Sequence, residues 1–334
     1  MQLANTRSLV DRLDRIRNQL FFVVGCERSG TTLLQAMLIS DPSIVIPPET
    51  QFFTAFSKWQ LLSGPINVDR NFEKLVKKIW TVEQAWGVET DETRFKAFAR
   101  AAPRSREGLF LALLAAYTER EGGDRIGEKS PVHTRCVGDI QTVFPKARFI
   151  HMIRDPRAVV LSLAKMWARK RGGFHQYIKR WRRAAQMHDD YAGQLTEDRY
   201  RLVHYEDLVR NPEPTLRSIC QFLELPWNPS MLEHHRRPEL GQVDFRPQAF
   251  ENTMKPVFTS SIEKWREEMS TSQIALIEYA LSNEMQRMGY ASTGVKTALP
   301  AARLFLSDLA AWTRESDRFA RRAVRKLTGR QSRA

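Results

Sequence analysis

Residues 21–32 read FFVVGCERSGTT, a short apolar run that ends in a glycine, with a second glycine five residues on and two threonines after it. The run Leu20–Gly25 has the length and apolarity of a buried strand. Thr32–Leu38 then shows helical spacing and stops at Asp41-Pro42, because proline disfavours helix in the residue before it. A strand that passes through a glycine-containing loop into a helix brings the unpaired N–H groups of the helix N-terminus to the loop, where they face an anion. The pattern departs from the phosphate-cradling G-x-x-x-x-G-K-[ST] at one position, where Thr31 stands in place of lysine. That lysine reaches the β- and γ-phosphates in nucleoside triphosphate enzymes. Its loss points away from ATP or GTP hydrolysis and toward another anion; a strand–helix turn with no ligand is the plain alternative.

Downstream the same alternation recurs. Ile44–Ile46, Arg125–Gly127, Ala147–Ile153 and Arg201–Tyr205 read as strands. Residues 52–120 read as mostly helical and rich in aromatics, and Thr215–Leu223 and Gln273–Met288 as helices, the last stopped by Gly289. Asp155-Pro156 suits a helix start, with Asp155 as N-cap and Pro156 as first helical residue. Strands alternating with helices imply a parallel sheet with crossover helices.

A net charge of +14 on 334 residues asks for an anionic partner or for a scattered solvated surface. The basic residues gather in no recognisable nucleic-acid module, so no nucleic-acid partner is expected. Cys26, Cys136 and Cys220 are an odd, sparse set, which suits free thiols in a reducing compartment. The charged N-terminus lacks the form of a signal peptide and Leu20–Gly25 is too short to span a bilayer, so the expected setting is cytoplasmic.

Four segments carry candidate chemistry. Arg28-Ser29-Gly30-Thr31-Thr32 offers a guanidinium fork, hydroxyl donors and a glycine that lets backbone approach an anion. Arg154 ends a strand and Ser162 lies eight residues on, a little over two helical turns, so both can converge on one phosphate; a surface arginine and a helix-face serine are the plain reading. Pro48-Glu49-Thr50 holds a carboxylate suited to take a proton if burial raises its pKa, or an exposed loop glutamate. Glu128-Lys129-Ser130-Pro131 holds either a fixed cation or a solvated lysine.

Taken together, over roughly residues 20–290, these segments resemble the PAPS-dependent sulfotransferases (donor 3′-phosphoadenosine 5′-phosphosulfate), closest to the protein-tyrosine sulfotransferase-like branch and its bacterial relatives. The resemblance implies an α/β, P-loop-like three-layer fold with a central parallel sheet flanked by helices. It places the sulfotransferase domain at 20–296; a helical lead-in at 1–19 precedes that domain, and a basic amphipathic tail at 297–334 lies beyond the resemblance. It implies that Arg28, Ser29, Gly30, Thr31 and Thr32 hold the 5′-phosphosulfate and that Arg154 and Ser162 hold the 3′-phosphate. Glu49 would be the general base, with Lys129 on the bridging oxygen and Arg28 sharing the charge. Tyr205 would lie near the nucleotide or in the core, and Lys264, in the Lys255-Pro256-Val257…Lys264-Trp265 segment, would close over the donor.

Sulfuryl transfer by in-line displacement to an acceptor hydroxyl or amine, releasing PAP (3′,5′-ADP) and requiring no metal, is the implied reaction. Other readings stay open: a P-loop kinase or NTPase, or a catalytically inactive nucleotide-binding protein on the same scaffold. His133 is the alternative base, Arg157 a helper or a solvated first-turn residue, and His234-His235 surface histidines. Glu27 departs from the family, since a carboxylate beside a phosphate repels it unless turned away or paired.

The acceptor, whether glycan, lipid-linked glycan, peptide tyrosine or small alcohol, would be shaped by helices in 52–120 and by 165–190, with Trp167, Arg169, Arg171, Trp181, Arg182 and Arg183. In the tail, Phe305, Leu309, Trp312, Phe319 and Leu327 recur near helical spacing among arginines. That pattern suits a helix on an anionic membrane, on its own domain or on a second subunit.

Overall fold

The computed structural model describes residues 2–166, 173–236 and 255–295. The tail at 297–334 and Trp167, Arg169 and Arg171 lie outside the described residues. Strands β1 (Phe21–Gly25), β2 (Ile44–Val45), β3 (Arg125–Lys129), β4 (Arg148–Ile153) and β5 (Tyr200–His204) form one sheet in the order β2-β3-β1-β4-β5, every adjacent pair parallel. β1 is buried at every position and β4 at all but its first. A central parallel strand is covered on both faces, which is why β1 reads as an unbroken apolar run and β4 as a mostly apolar one that carries the buried His151. The edges differ: β2 has two residues, and β5 keeps three of its five only half-buried.

From β1 the chain crosses to the edge strand β2 and comes back inward to β3, which pairs with β1, then passes to the other side of β1 to add β4 and β5. The register sets Phe22 beside Glu128 on one flank and beside Phe149 on the other. A parallel sheet that reverses its direction of growth leaves a crevice outside the carboxyl ends of the strands at that point. Here the point is β1, and the glycine loop opens from its end.

Helices are α1 (Gln2–Gln19), α2 (Thr31–Leu38), α3 (Phe52–Ser63), α4 (Asp69–Ala85), α5 (Glu92–Ala101), α6 (Arg106–Glu121), α7 (Val137–Val143), α8 (Pro156–Met166), α9 (Phe174–Ala192), α10 (Tyr205–Arg210), α11 (Pro212–Leu223), α12 (Ser260–Glu263), α13 (Trp265–Glu268), α14 (Thr271–Ala280) and α15 (Ser282–Arg287). Among the described residues no helix is long and apolar enough to cross a membrane.

The chain divides into two compact units, Met1–Arg154 with Gln186–Ser261, and Asp155–Ala185 with Ile262–Ala334. In the first, the rings of Phe22, Phe53, Phe110 and Phe149 pack at the centre, Phe53 on Phe110 at 4.8 Å and Phe22 on Phe149 at 5.3 Å. Each buried phenylalanine stabilises the fold by about 1.5–3 kcal/mol. This cluster ties β1 and β4 to the starts of α3 and α6.

In the second unit, Asp155 Oδ1 accepts the backbone N–H of Arg157 at 2.8 Å, the capping bond that its sequence position predicts. Arg157 is neither helper nor solvated. Its buried guanidinium donates to both Asp155 oxygens (2.9 and 2.7 Å) and to Glu278 (2.6 Å), and lies 3.9 Å from the centre of the Trp265 ring. Glu278 also accepts from Ser292 and from the Thr293 backbone, so Arg157 is the hub of a structural clamp.

The helix expected over Gln273–Met288 is two helices, broken at Leu281. The Arg182 guanidinium donates to the Ala280 carbonyl, and a side chain inserted into the helix ladder is a standard cause of such a kink. β3 runs two residues further than its sequence suggests, so Glu128 and Lys129 belong to a strand rather than a loop. Tyr205 opens α10 instead of ending β5; Glu206 and Asp207 behind it favour the positive end of a helix. His234 is buried, contrary to the surface reading.

Candidate active site

Every candidate of the first unit lies at the carboxyl end of a strand. The glycine loop follows β1, Glu49 follows β2, Lys129 closes β3, Arg154 follows β4 and Tyr205 follows β5. The topology therefore gathers residues far apart in sequence at one edge of the sheet.

The loop is shaped by two glycines. Gly25 leaves β1 at φ 137, and a Cβ there would meet the Met152 carbonyl oxygen of β4 at 2.2 Å. Gly30 sits at φ 87 before α2, and its Cβ would meet the Tyr205 ring at 2.4 Å. Arg28 also adopts the left-handed region, at φ 72, which costs a residue with a Cβ about 1 kcal/mol or more. No side chain caps α2, so its first-turn N–H groups remain available to an anion. Ser29 is fully buried, and its hydroxyl has no partner among the described residues. An orphan buried hydroxyl, an uncapped helix start and a cradle that a Cβ would fill together suit a bound phosphate or sulfate group.

Arg154 reaches this loop. Its guanidinium donates to the Arg28 carbonyl at 3.4 Å and to the Ser261 carbonyl at 2.7 Å, and lies 4.2 Å from the centre of the Tyr205 ring. The Tyr205 hydroxyl is 2.8 Å from Ser261 Oγ. Tyr205 thus floors both Gly30 and Arg154, which joins the two readings that the sequence left open for it.

At the end of β3, which pairs with β1, Lys129 Nζ lies 2.8 Å from Glu49 Oε1. The lysine side chain is 0% exposed and the glutamate 8%. Neither is the solvated surface group of the plain reading.

Next to Lys129 in the chain is a second buried carboxylate, Glu128, which nothing local in the sequence singles out. Burial pushes it up, and the His133 ring with the Ser130 and Thr50 hydroxyls outweighs that and holds it below the usual carboxylate range. His133 Nδ1 is 2.9 Å from Glu128, while its Nε2 accepts the Phe53 backbone N–H at 3.1 Å. Both ring nitrogens of His133, the alternative base, are engaged with these neighbours.

Glu83 is a third acid. It continues the core-facing stripe of Phe72, Leu75, Val76 and Ile79 on α4, and neither carboxyl oxygen has a partner among the described residues. Burial first, and the charge of Glu128 second, push it well above the usual range, which favours its neutral form. A carboxylate on an apolar stripe was the signal in the sequence that could have found it. Gln35, buried on α2, is the other residue missed; its amide donates to the Ile46 and Pro47 carbonyls.

Ser162 and Lys264 belong to the second unit. Ser162 is half-buried on α8, and Lys264 is exposed with its ammonium 3.4 Å from Glu268. Among the described residues no group of His, Cys, Asp and Glu side chains is arranged to hold a metal ion.

The sequence pattern of the Sulfotransferase family matches residues 21–229, the stretch that spans all five strands. The chain belongs to the sulfotransferase family. It is 27% identical over 253 residues to the protein-tyrosine sulfotransferase of Drosophila melanogaster, covering 74% of this chain and 46% of that one. To protein-tyrosine sulfotransferase A of Caenorhabditis elegans it is 26% identical over 277 residues, covering 80% of this chain and 66% of that one. It therefore spans from about half to two thirds of the length of these two relatives. Among solved structures, the sulfotransferase domain of the Synechococcus PCC 7002 olefin synthase superposes with a TM-score of 0.59 at 24% identity, covering 81% of this chain and 95% of that one. The sulfotransferase domain from the curacin biosynthetic pathway gives 0.55 at 16%, covering 81% and 97%. These two likenesses establish the fold, α/β with a central parallel sheet, as the resemblance implied.

Proposed function

We propose that this sulfotransferase moves a sulfuryl group from PAPS to an acceptor hydroxyl, or an amine, by in-line displacement, releasing PAP. The observation that carries the reading is the buried Glu49–Lys129 contact at 2.8 Å, with Lys129 on the strand paired to β1, from whose end the Arg28–Thr32 loop opens. The loop amides, the Ser29 hydroxyl and Arg28 hold the 5′-phosphosulfate, with Thr31 and Thr32 opening the helix behind it. Arg154, floored by Tyr205, takes the 3′-phosphate. Ser162 and Lys264 keep the donor-binding roles that the family resemblance implies.

Glu49 accepts the acceptor's proton as the acceptor oxygen bonds to sulfur and the bridging oxygen leaves. Lys129, Arg28 and the loop amides meet the charge that grows on that leaving oxygen, so they stabilise the transition state more than the ground state. Before the donor arrives, Glu49 neutralises Lys129. The donor gives the ammonium another anion, and the carboxylate is then released toward the acceptor. No step asks for a metal.

The names of the relatives support a peptide tyrosine as the acceptor class. Cys26, Cys136 and Cys220, an odd and sparse set of cysteines, support a cytoplasmic setting as part of the same reading. The test is Glu49→Gln assayed for transfer of labelled sulfate from PAPS to a tyrosine peptide, a glycan and a simple alcohol, beside calorimetry with PAP. Transfer is expected to vanish while PAP affinity stays. Collapse of PAP binding in that variant would overturn the base assignment, and calorimetric binding of ATP and Mg²⁺ in preference to PAP would overturn the donor.

A further inference from the structure

We propose that Glu128 is a positioning residue for the transfer step, fixing the backbone that carries Glu49. The proposal rests on Glu49 being the base. Its observation is a convergence of hydrogen bonds. Three successive backbone N–H groups at the start of α3 each pass through one side chain to this single carboxylate. Gln51 N–H donates to Ser130 Oγ at 3.1 Å, and Ser130 Oγ donates to Glu128 Oε1 at 2.5 Å. Phe52 N–H donates to Thr50 Oγ1 at 3.3 Å, and Thr50 Oγ1 donates to Glu128 Oε1 at 2.9 Å. Phe53 N–H donates to His133 Nε2 at 3.1 Å, and His133 Nδ1 lies 2.9 Å from Glu128 Oε2.

The directions are mutually forced. An amide can only donate, so His133 Nε2 accepts from Phe53 and Nδ1 is left to donate to Glu128. Each hydroxyl that accepts an amide spends its own proton on the carboxylate. Glu128 therefore receives three donors and must be ionised, since a protonated acid would have to donate to a group already donating. In effect the orphan N–H groups that open α3 are capped at a distance, by a carboxylate at the positive end of the helix. The segment ahead of Glu49 is held as well, because Gln35 Nε2 donates to the Ile46 carbonyl at 3.2 Å and the Pro47 carbonyl at 2.9 Å. Glu49 sits between two pinned stretches, with its side chain directed at Lys129. A base displaced by about 1 Å loses up to about a hundredfold in rate, so rigidity here bears on turnover rather than on donor affinity.

The experiment compares Glu128→Gln, Thr50→Val and Thr50→Ser with the wild-type protein, measuring kcat, KM for PAPS, calorimetric PAP affinity and Tm, with Glu49→Gln run alongside. A glutamine at 128 offers one acceptor and one donor head, so it cannot take three donors. Glu128→Gln and Thr50→Val are expected to lower kcat by about tenfold or more while PAP affinity stays within about twofold, and Thr50→Ser, which keeps the hydroxyl, to restore most of kcat. If Glu128→Gln does not fold, the Thr50 pair decides. Wild-type kcat in Thr50→Val, or loss of PAP binding in step with kcat, overturns the proposal. If Glu49→Gln is inactive while Glu128→Gln and Thr50→Val are not, only the positioning role fails; if Glu49→Gln still turns over, the base assignment fails and this inference with it.

Discussion

Removing Lys129 from beneath Glu49 gives the sharpest test of the site's electrostatics. At 2.8 Å, and with the effective dielectric of about 20 that describes buried protein charges, the attraction is about 6 kcal/mol. Burying the two ions offsets much of that, so the pair itself contributes little net stability. Breaking it is different. Lys129→Met leaves the Glu49 carboxylate, almost wholly buried, without its ammonium, which costs about 3–5 kcal/mol. Glu49→Gln leaves a buried ammonium facing an amide, a smaller loss because the amide oxygen still accepts. The double variant leaves no lone charge, and is expected to be more stable than Lys129→Met alone. The coupling energy of the cycle is expected to reach about 2 kcal/mol, against about 0.5 kcal/mol or less for independent sites. Urea unfolding of the four proteins at pH 8, with matched m-values, measures it. Additivity within that lower figure would show that the two groups do not meet in solution, and the reading of Glu49 and Lys129 as one catalytic unit would go with it.

Gly30→Ala places a methyl group 2.4 Å from the Tyr205 ring at a left-handed φ, and is expected to destabilise the protein by about 1–2 kcal/mol and weaken PAP binding, read by thermal melting and calorimetry. Arg154→Ala is expected to weaken PAP strongly while barely changing affinity for adenosine 5′-phosphosulfate, which lacks the 3′-phosphate; equal losses for both would remove Arg154 from that role. Glu83→Gln is expected to raise the melting temperature at pH 8 by a few degrees. The folded pKa of Glu83 is raised, so its neutral form is fully favourable below the unfolded pKa of about 4.3, and that stability is lost as pH rises through the folded value. The gap between variant and wild type should therefore widen from acid to alkaline pH, and a gap that is flat or reversed would contradict the buried neutral acid.

Much of this arrangement was legible in the chain itself. The apolar run at 21–25 and the mostly apolar one at 148–153 announce central parallel strands, because burial on both faces leaves no regular polar alternation in either. The glycine loop was legible because few residues besides glycine tolerate the backbone at Gly25 and Gly30. What was hidden is side-chain convergence. Glu128, Ser130 and His133 stand in a stretch whose neighbour Lys129 drew the chemical attention, and nothing local shows that they meet Thr50 and Phe53, some eighty residues upstream. Gln35 looked like an ordinary helix residue because its role depends on where the Ile46–Pro47 turn passes. The kink at Leu281 was invisible for the same reason, since its cause is Arg182, an arginine nearly a hundred residues away.

Arg28 holds a left-handed backbone that its own side chain disfavours, at φ 72. Natural selection has a cheaper residue for that conformation in glycine, so retaining a guanidinium there is a trade of robustness against grip. Arg28→Gly is expected to make a protein about 1 kcal/mol harder to unfold and poorer at holding sulfate. Directed evolution of this chain for heat resistance alone would drift toward such losses, so a screen that scores melting must also score catalysis.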